Sequence, residues 1–177
     1  MTYRFAPGRP PSVAAEAMVA TSQPRATQAG LGMLERGGNA ADAALAAAAM
    51  LAVVEPMSTG LGGDAFALVW RDGRVEGLDA AGPAPRTADR LDPVEPLGPR
   101  SVTVPGAVAG WVALAGRHGR LGLDVCLAPA IDAAESGFPV TAITAAAWAS
   151  AGRPSALWPP TRIPREYQPP PRPTTRP

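Results

Sequence analysis

The sequence predicts a mixed α+β fold in which two helices precede a β-hairpin and two more helices follow it. Capping residues and glycines enclose apolar segments of helical length on both sides of residues 64–79. Between them, two apolar-rich segments flank Asp72-Gly73, a dipeptide that favours a tight hairpin turn. With 177 residues, 46% of them hydrophobic, the chain has apolar material for one core.

The first helix is predicted over residues 24–36. Pro24 suits a first helical turn, because its fixed φ is already helical. Thr21 and Ser22 are good N-cap residues, and Gly37-Gly38 can end the helix in a left-handed conformation. Residues 18–22, just before this helix, are expected to form a short strand or an extended entry.

The second helix is predicted over residues 40–54. Asn39 is its expected N-cap, and Asp42 lies in the first turn, where the helix dipole favours a negative charge. Because the segment carries a single charge before Glu55, the helix should be buried on most sides.

The hairpin is predicted over residues 64–70 and 75–79, followed by a long Pro-rich surface loop over residues 80–99. Residues 101–104 are expected to form a short strand that ends at Pro105. Two later helices are predicted over residues 107–117 and 124–135, the second closed by Gly137.

Composition excludes several classes of function. With 16 basic and 15 acidic residues the net charge is +1, which predicts neither a nucleic-acid partner nor an anionic membrane surface. The longest apolar run, residues 43–54, is shorter than the roughly 20 residues that a membrane span needs. The N-terminus has no signal-peptide pattern, so a cytoplasmic location is expected.

Few side chains in the sequence could take part in catalysis or metal binding. The sequence predicts no catalytic residue, no metal site and no cofactor. His118 lies at a polar helix end, where a capping role is favoured. Cys126, the single cysteine, lies in an apolar stretch and is predicted to be a buried small hydrophobe. Four carboxylates could in principle bind a hard cation, but their spacing favours capping and turn roles: Asp42, Glu55, Asp64 and Asp79.

The glycine loop over residues 60–65 satisfies G-x-G-x-x-A, a pattern of dinucleotide-binding sites. Such a site requires a strand before the glycines and a helix after them. The predicted order here is the reverse, so the sequence does not predict a nucleotide site.

Both ends of the chain are expected to lack regular structure. Residues 1–16 are predicted to be a loose leader. Residues 151–177 are predicted to be a disordered Pro/Arg-rich tail, since nine prolines lie within residues 153–177. The tail is either a ligand for SH3 or WW domains, which read Pro-rich segments, or a non-native extension produced by truncation or a shifted reading frame.

Five ordered segments resemble the γ-glutamyltranspeptidase family. The similarity extends from about residue 17 to residue 140 and is not visible beyond Ala149. The segments are Met18-Val19-Ala20-Thr21-Ser22-Gln23-Pro24-Arg25-Ala26-Thr27, Gly37-Gly38-Asn39-Ala40-Ala41-Asp42-Ala43-Ala44, Val54-Glu55-Pro56-Met57-Ser58-Thr59-Gly60-Leu61-Gly62-Gly63-Asp64-Ala65-Phe66, Val102-Thr103-Val104-Pro105-Gly106-Ala107-Val108-Ala109-Gly110-Trp111 and Pro129-Ala130-Ile131-Asp132-Ala133-Ala134-Glu135-Ser136-Gly137-Phe138-Pro139-Val140.

The resemblance implies an αββα sandwich of the N-terminal nucleophile hydrolase type, of which this chain carries only the first part of the large subunit. Family precursors cut themselves in two, and the new N-terminal Thr of the small subunit attacks a γ-glutamyl or related acyl amide such as glutathione. The acyl group then passes to water or an amine. Residues 17–150 are therefore expected to be a large-subunit fragment without the small subunit and without the C-terminal half of the fold.

The resemblance also assigns a substrate-binding position to Ala81 and Gly82. In the family an Arg-Glu-x-Ala-Pro segment supplies an Arg that binds the substrate α-carboxylate. Aligned on Ala84-Pro85, the Arg position is Ala81 and the Glu position is Gly82. A methyl group cannot replace a bidentate guanidinium, so the segment is closer to the acylase-like, hydrolytic branch. Arg86 lies nearby as another possible carboxylate ligand.

Three interpretations follow from the sequence. The first is a fragment of a γ-glutamyltranspeptidase-like acylase that acts on a small-molecule acyl amide. The second is a non-catalytic chain, either a remnant or a large-subunit piece that needs a separately encoded partner. The third is a Pro-rich interaction protein built on an old domain, which only the tail supports.

Overall fold

The predicted order of helices and hairpin is confirmed, and one further helix follows them. The computed structural model describes residues 11–86, residue 94 and residues 101–150, without the side chains of the last two. The elements are α1 (Pro24–Glu35), α2 (Ala40–Val54), β1 (Ala65–Arg71), β2 (Arg74–Ala80), α3 (Ala107–His118), α4 (Leu123–Ser136) and α5 (Ala142–Ser150).

Helix α1 begins where Pro24 predicted, but its N-cap is Gln23 rather than Thr21 or Ser22. Pro24 occupies the first helical turn, so the cap is the residue directly before it. The Gln23 side chain accepts a hydrogen bond of 2.9 Å from the Arg25 amide. Thr21 instead donates to the Gln23 carbonyl at 2.7 Å, and Ser22 donates to the Glu55 carboxylate at 2.7 Å.

Helix α2 is the centre of the core, as its lack of charge predicted. It packs against α1, α4 and α3. Asn39 caps it, and Asp42 completes a capping box by accepting from the Asn39 amide at 2.8 Å. The buried residues of α2 lie on most sides of the helix: Ala41, Asp42, Ala43, Leu45, Ala46, Ala47, Ala49, Met50 and Val54.

Asp42 also fixes the turn between α3 and α4. Its side chain is buried, and its carboxylate accepts hydrogen bonds of 3.1 Å from the amides of Arg120 and Leu121. The neighbouring Asn39 side chain donates to the His118 carbonyl at 2.6 Å. One buried carboxylate therefore joins the start of α2 to a turn 78 residues further along the chain.

The two strands form an antiparallel hairpin, of which one face is packed on the core and the other is exposed. The register pairs Ala65 with Ala80 and Arg71 with Arg74, and positive φ angles at Asp72 and Gly73 close the turn. The inner face lies on the core and consists of Ala65, Ala67, Val69 and Leu78. The outer face carries four exposed apolar side chains, which are 64–81% accessible: Phe66, Leu68, Trp70 and Val75.

The strand predicted over residues 101–104 is wrong, because that segment contains no strand. Residues 18–22 contain no strand either, which leaves the extended entry as the alternative for that segment. In the segment 101–104 the Val104 amide donates a backbone hydrogen bond of 3.0 Å to the Pro83 carbonyl, and this bond belongs to no strand ladder. A strand requires a continuous row of such bonds, and β-branched residues alone do not supply the partner.

Helix α5 has no counterpart in the sequence prediction. Thr141 precedes it, and the Thr141 hydroxyl accepts a hydrogen bond of 3.2 Å from the Thr144 amide, as an N-cap does. The predicted tail over residues 151–177 and most of the predicted leader lie outside the described residues, so their disorder stays a prediction. Within the described part of the chain, none of the helices has the length and apolar character that crossing a bilayer requires.

Candidate functional site

Ala81 and Gly82, the substrate-binding position indicated by the sequence, lie directly after β2. The Ala81 side chain is exposed, and Gly82 is half-buried. The Ala81 amide donates to the Asp79 carboxylate at 2.9 Å, which turns the chain away from the sheet. Ala81 therefore presents only a methyl group to solvent at the end of the hairpin.

Asp64, directly before β1, holds this segment at the same open end of the hairpin, where Ala65 pairs with Ala80. Its Oδ1 atom accepts hydrogen bonds from the Gly82 amide at 3.1 Å and from the Thr103 hydroxyl at 3.0 Å. The carbonyl of Gly63, one residue earlier, accepts from the amides of Gly106 and Ala107 at 3.0 and 2.9 Å. Three distant segments thus meet at one place, which we call the Asp64 junction: residues 63–64, 80–83 and 103–107.

Two glycines allow the backbones of the Asp64 junction to approach. A Cβ atom added to Gly82 would lie 1.3 Å from the Val104 carbonyl oxygen, and one added to Gly106 would lie 2.1 Å from the Ala80 carbonyl oxygen. Both distances are shorter than any non-bonded contact, so neither position accepts a side chain without movement of the backbone. The absence of a side chain at Gly82 is therefore required by the packing.

The site has little side-chain chemistry of its own. Arg86, the nearby cation, is exposed and lies at the end of the described segment. Asp79 and Asp64 have their carboxylates engaged by backbone amides of Ala81 and Gly82. Among the described contacts of this site, no nucleophile or general base is aimed at Ala81.

The other carboxylates considered from the sequence have capping and turn roles, as predicted. Asp42 belongs to the capping box of α2, and Glu55 is the C-cap of the same helix. Asp64 and Asp79 bind backbone amides at the junction. Among the described residues, no three His, Cys, Asp or Glu side chains form a group that could hold a metal ion.

Cys126 is the buried small hydrophobe that the sequence predicted, whereas the His118 side chain approaches Glu76 and makes no capping bond among the described contacts. His118 is the last residue of α3, and its Nε2 atom lies 3.6 Å from a carboxylate oxygen of Glu76. Cys126 is fully buried, and its thiol lies 3.8 Å from Asp42 Oδ1. Burial, together with the negative charge of Asp42, raises the pKa of the Cys126 thiol to about 11, so the thiol is protonated and unreactive at neutral pH.

Helix α2 precedes the glycine loop and β1 follows it, the reverse of a dinucleotide site, as expected. Sequence reasoning missed the structural role of this loop, whose last residues, Gly63 and Asp64, form the junction. The sequence features that could have indicated the junction were Gly63-Asp64 at the start of a strand and Pro105-Gly106 at the start of a helix. Local patterns could not show that these two segments are in contact.

The γ-glutamyltranspeptidase family model matches residues 26–162 of this chain. The chain belongs to that family. This match covers well over half of the sequence and confirms the resemblance carried by the five ordered segments. It continues past Ser150, where the large-subunit segment was predicted to end.

Named relatives and solved structures agree with the family assignment. The glutathione hydrolase-like YwrD proenzyme of Bacillus subtilis is 40% identical over 134 residues, which are 71% of this chain and 25% of the relative. The cephalosporin acylase of Bacillus halodurans is 44% identical with a TM-score of 0.71, over 84% of this chain and 31% of that chain. The γ-glutamyltranspeptidase of Helicobacter pylori has a TM-score of 0.72 at 33% identity, over 80% of this chain and 44% of that chain.

These likenesses establish the fold class. The mixed helices and hairpin are part of the αββα sandwich of N-terminal nucleophile hydrolases, as the resemblance implied. The chain spans about a quarter of the length of the curated YwrD relative and less than half of each solved structure.

Proposed function

We propose that residues 17–150 form the N-terminal part of the large subunit of a γ-glutamyltranspeptidase-like acylase. Its substrate is a small acyl amide whose acyl group carries no α-amino acid carboxylate. The family match and the likeness to a cephalosporin acylase support this reaction class.

The catalytic chemistry in this proposal comes from a part of the family fold that these residues do not cover. There an N-terminal Thr hydroxyl attacks the amide carbonyl, while the α-amino group of the same residue takes the hydroxyl proton. The acyl-enzyme forms as the amine leaves with that proton. Water or an acceptor amine then attacks the ester and regenerates the Thr hydroxyl. The present chain supplies a wall of the acyl pocket.

The observation that carries the substrate class is the packing at Gly82. Because a Cβ there would overlap the Val104 carbonyl, this position cannot hold the family Glu, and the preceding Ala81 has no guanidinium. The pocket therefore has no charge-assisted contact for an α-carboxylate at this position. A plain acyl group such as butyryl loses nothing here, whereas a γ-glutamyl group loses the bidentate partner of its α-carboxylate.

A chimera tests the proposal. Residues 17–150 replace the matching segment of the Bacillus halodurans cephalosporin acylase, and kcat/KM is measured for butyryl and γ-glutamyl p-nitroanilides, of which only the second carries a carboxylate. We expect the chimera to prefer the butyryl donor. Ala81→Arg should shift the ratio toward γ-glutamyl by about tenfold or more, since a desolvated charge pair is worth about 2–5 kcal/mol.

Ala84→Arg is the matched control, because Ala84 is also exposed and lies three residues further along the same segment. It adds the same charge and should leave the ratio unchanged. If the unmodified chimera strongly prefers the γ-glutamyl donor, another group binds the carboxylate, and Arg86→Ala is the variant that would identify it.

The alternative is a non-catalytic chain, either a remnant or a large-subunit piece whose partner is encoded separately. A chimera that folds and processes itself but turns over neither donor favours the remnant. Activity restored by adding the missing part of a relative as a separate chain favours the two-chain form.

A further inference from the structure

Residues 81–82, the candidate substrate position, lie between two points that backbone contacts hold in place. On one side, Ala80 pairs with Ala65 in the register of the hairpin. On the other side, the Pro83 carbonyl accepts a hydrogen bond of 3.0 Å from the Val104 amide. The two residues between these points belong to no strand, so their placement depends on other contacts.

Two aspartate side chains supply these contacts. The Ala81 amide donates to Asp79 Oδ1 at 2.9 Å, and the Gly82 amide donates to Asp64 Oδ1 at 3.1 Å. The first bond joins residues two positions apart and shapes only the local turn. The second bond joins residues 18 positions apart. Asp64 is therefore the side chain that ties the candidate substrate position to the segment before β1.

The same oxygen of Asp64 also holds a third segment. The Thr103 hydroxyl donates to Asp64 Oδ1 at 3.0 Å across 39 positions of the sequence. The hairpin and α3 are joined independently of this carboxylate, because the Gly63 carbonyl accepts from the amides of Gly106 and Ala107. Loss of the carboxylate should therefore release the candidate substrate position and leave the hairpin attached to α3.

We propose that Asp64 is a positioning residue for binding of the acyl donor. Through the Gly82 amide and the Thr103 hydroxyl, Asp64 fixes the wall that Ala81 presents to the acyl group. This inference rests on the proposed function, since only in an acylase does an acyl group meet this wall. The nucleophile of that proposal lies outside residues 17–150. Removal of the Asp64 carboxylate should therefore raise KM and leave kcat nearly unchanged.

The test compares Asp64→Ala with Asp64→Asn in the chimera with the cephalosporin acylase, and butyryl p-nitroanilide is the donor. Alanine removes both hydrogen bonds, whereas asparagine keeps a carbonyl oxygen that can accept them. We expect Asp64→Ala to raise KM about three- to tenfold, as the loss of ordinary hydrogen bonds does. Asp64→Asn should restore the KM of the unmodified chimera. Asp132→Ala removes an exposed carboxylate from α4, and this matched control should change neither KM nor kcat.

Thr103 provides an independent pair of variants. Thr103→Val removes the hydroxyl and keeps the branched shape, whereas Thr103→Ser keeps the hydroxyl. Valine should raise KM and serine should not. The combined effect of Asp64→Ala and Thr103→Val on ln KM should be smaller than the sum of the two single effects, because both variants remove the same hydrogen bond.

Hydrogen exchange separates this inference from the proposed function. In the full 177-residue chain, Asp64→Ala should speed exchange of the Ala81 and Gly82 amides at least about tenfold relative to the amides within β1, and Asp64→Asn should not. If the unmodified chimera turns over no donor, the proposed function fails and the donor-binding role of Asp64 fails with it. The exchange rates then still show whether Asp64 positions residues 81–82.

Three results in an active chimera would overturn the inference and leave the proposed function standing. The first is an Asp64→Ala variant with unchanged KM. The second is an Asp64→Asn variant as impaired as Asp64→Ala, which would assign the effect to the negative charge instead of the hydrogen bonds. The third is a loss of kcat and of the urea midpoint in Asp64→Ala with KM unchanged, which would show a role in folding alone.

Discussion

Gly82 occupies the tightest point of the Asp64 junction, and this predicts a large effect of a single methyl group. Gly82→Ala should destabilise the chain by more than about 2 kcal/mol, because the Cβ would overlap the Val104 carbonyl at 1.3 Å and force the backbone apart. Gly32→Ala is the matched control. Gly32 lies inside α1 with nothing within 4 Å of an added Cβ, so alanine should stabilise by about 0.5–1 kcal/mol.

Urea unfolding at low micromolar concentration measures both Gly variants. Surface substitutions ordinarily change the free energy of unfolding by up to about 0.5 kcal/mol. If Gly82→Ala lowers it by no more than that, the backbones at the Asp64 junction are not tightly packed.

Asp42 gives a second prediction at the scale of one residue. Asp42→Asn should lower the free energy of unfolding by about 2–4 kcal/mol, because an amide nitrogen cannot accept from the Asn39, Arg120 and Leu121 amides. Asp132→Asn on the exposed surface of α4 should change it by less than about 0.5 kcal/mol. Equal urea midpoints for the two variants would contradict a structural role of the buried carboxylate.

Cys126 predicts a specific dependence of stability on pH. Folding raises the pKa of its thiol from the ordinary 9.0 to about 11, so the folded state holds the proton more tightly than the unfolded state. The resulting stabilisation is complete below pH 9 and is lost as the pH rises to about 11. Between pH 9 and about 11, the free energy of unfolding of the wild type should therefore fall relative to that of Cys126→Ala. Parallel curves of urea midpoint against pH would show that the thiol titrates normally.

Local patterns predicted the roles of single residues only where both partners are close in the sequence. Asn39 and Asp42 are three residues apart, so the capping box could be anticipated from their spacing. The bonds from Asp42 to Arg120 and from Asp64 to Thr103 join residues 78 and 39 positions apart. No local pattern encodes such a contact, and the Asp64 junction was missed for this reason.

At the scale of elements, α2 and α5 should differ in local stability. Helix α2 is enclosed by α1, α3 and α4, whereas α5 leaves Ile143 and Trp148 83% and 58% exposed. Amides of α2 should exchange only through global unfolding, and those of α5 through local opening. Hydrogen exchange with mass spectrometry should therefore show α5 exchanging at least a hundredfold faster than α2. Similar rates would mean that another part of the chain stabilises α5.

Helices with clear caps and the hairpin with its Asp72-Gly73 turn could be predicted from the sequence, because local interactions define them. Their observed bounds agree with the predicted ones to within one residue at each end. The strand predicted over residues 101–104 was wrong because β-structure depends on a partner strand. Helix α5 was missed because its only start signal is a single threonine, Thr141, before an alanine-rich segment.

At the scale of the whole molecule, the chain made alone should associate. The apolar outer face of the hairpin and exposed groups such as Ile131 on α4 remain in contact with water. We expect binding of a hydrophobic dye such as ANS and an apparent mass that rises with protein concentration, measured by light scattering. A sharp cooperative unfolding transition from a dilute monomer without dye binding would contradict this expectation.

The link between Asp42 and Arg120 closes a ring of 78 residues around the hairpin. The entropy lost on closing a ring grows only with the logarithm of its length, so ten residues added to it cost about 0.1 kcal/mol. The chain between Arg86 and Ser101 belongs to this ring by its position in the sequence. Ring closure therefore opposes an insertion there only weakly, and an epitope or a fluorescent label inserted between these residues should leave the hydrogen bonds of Asp42 to Arg120 formed.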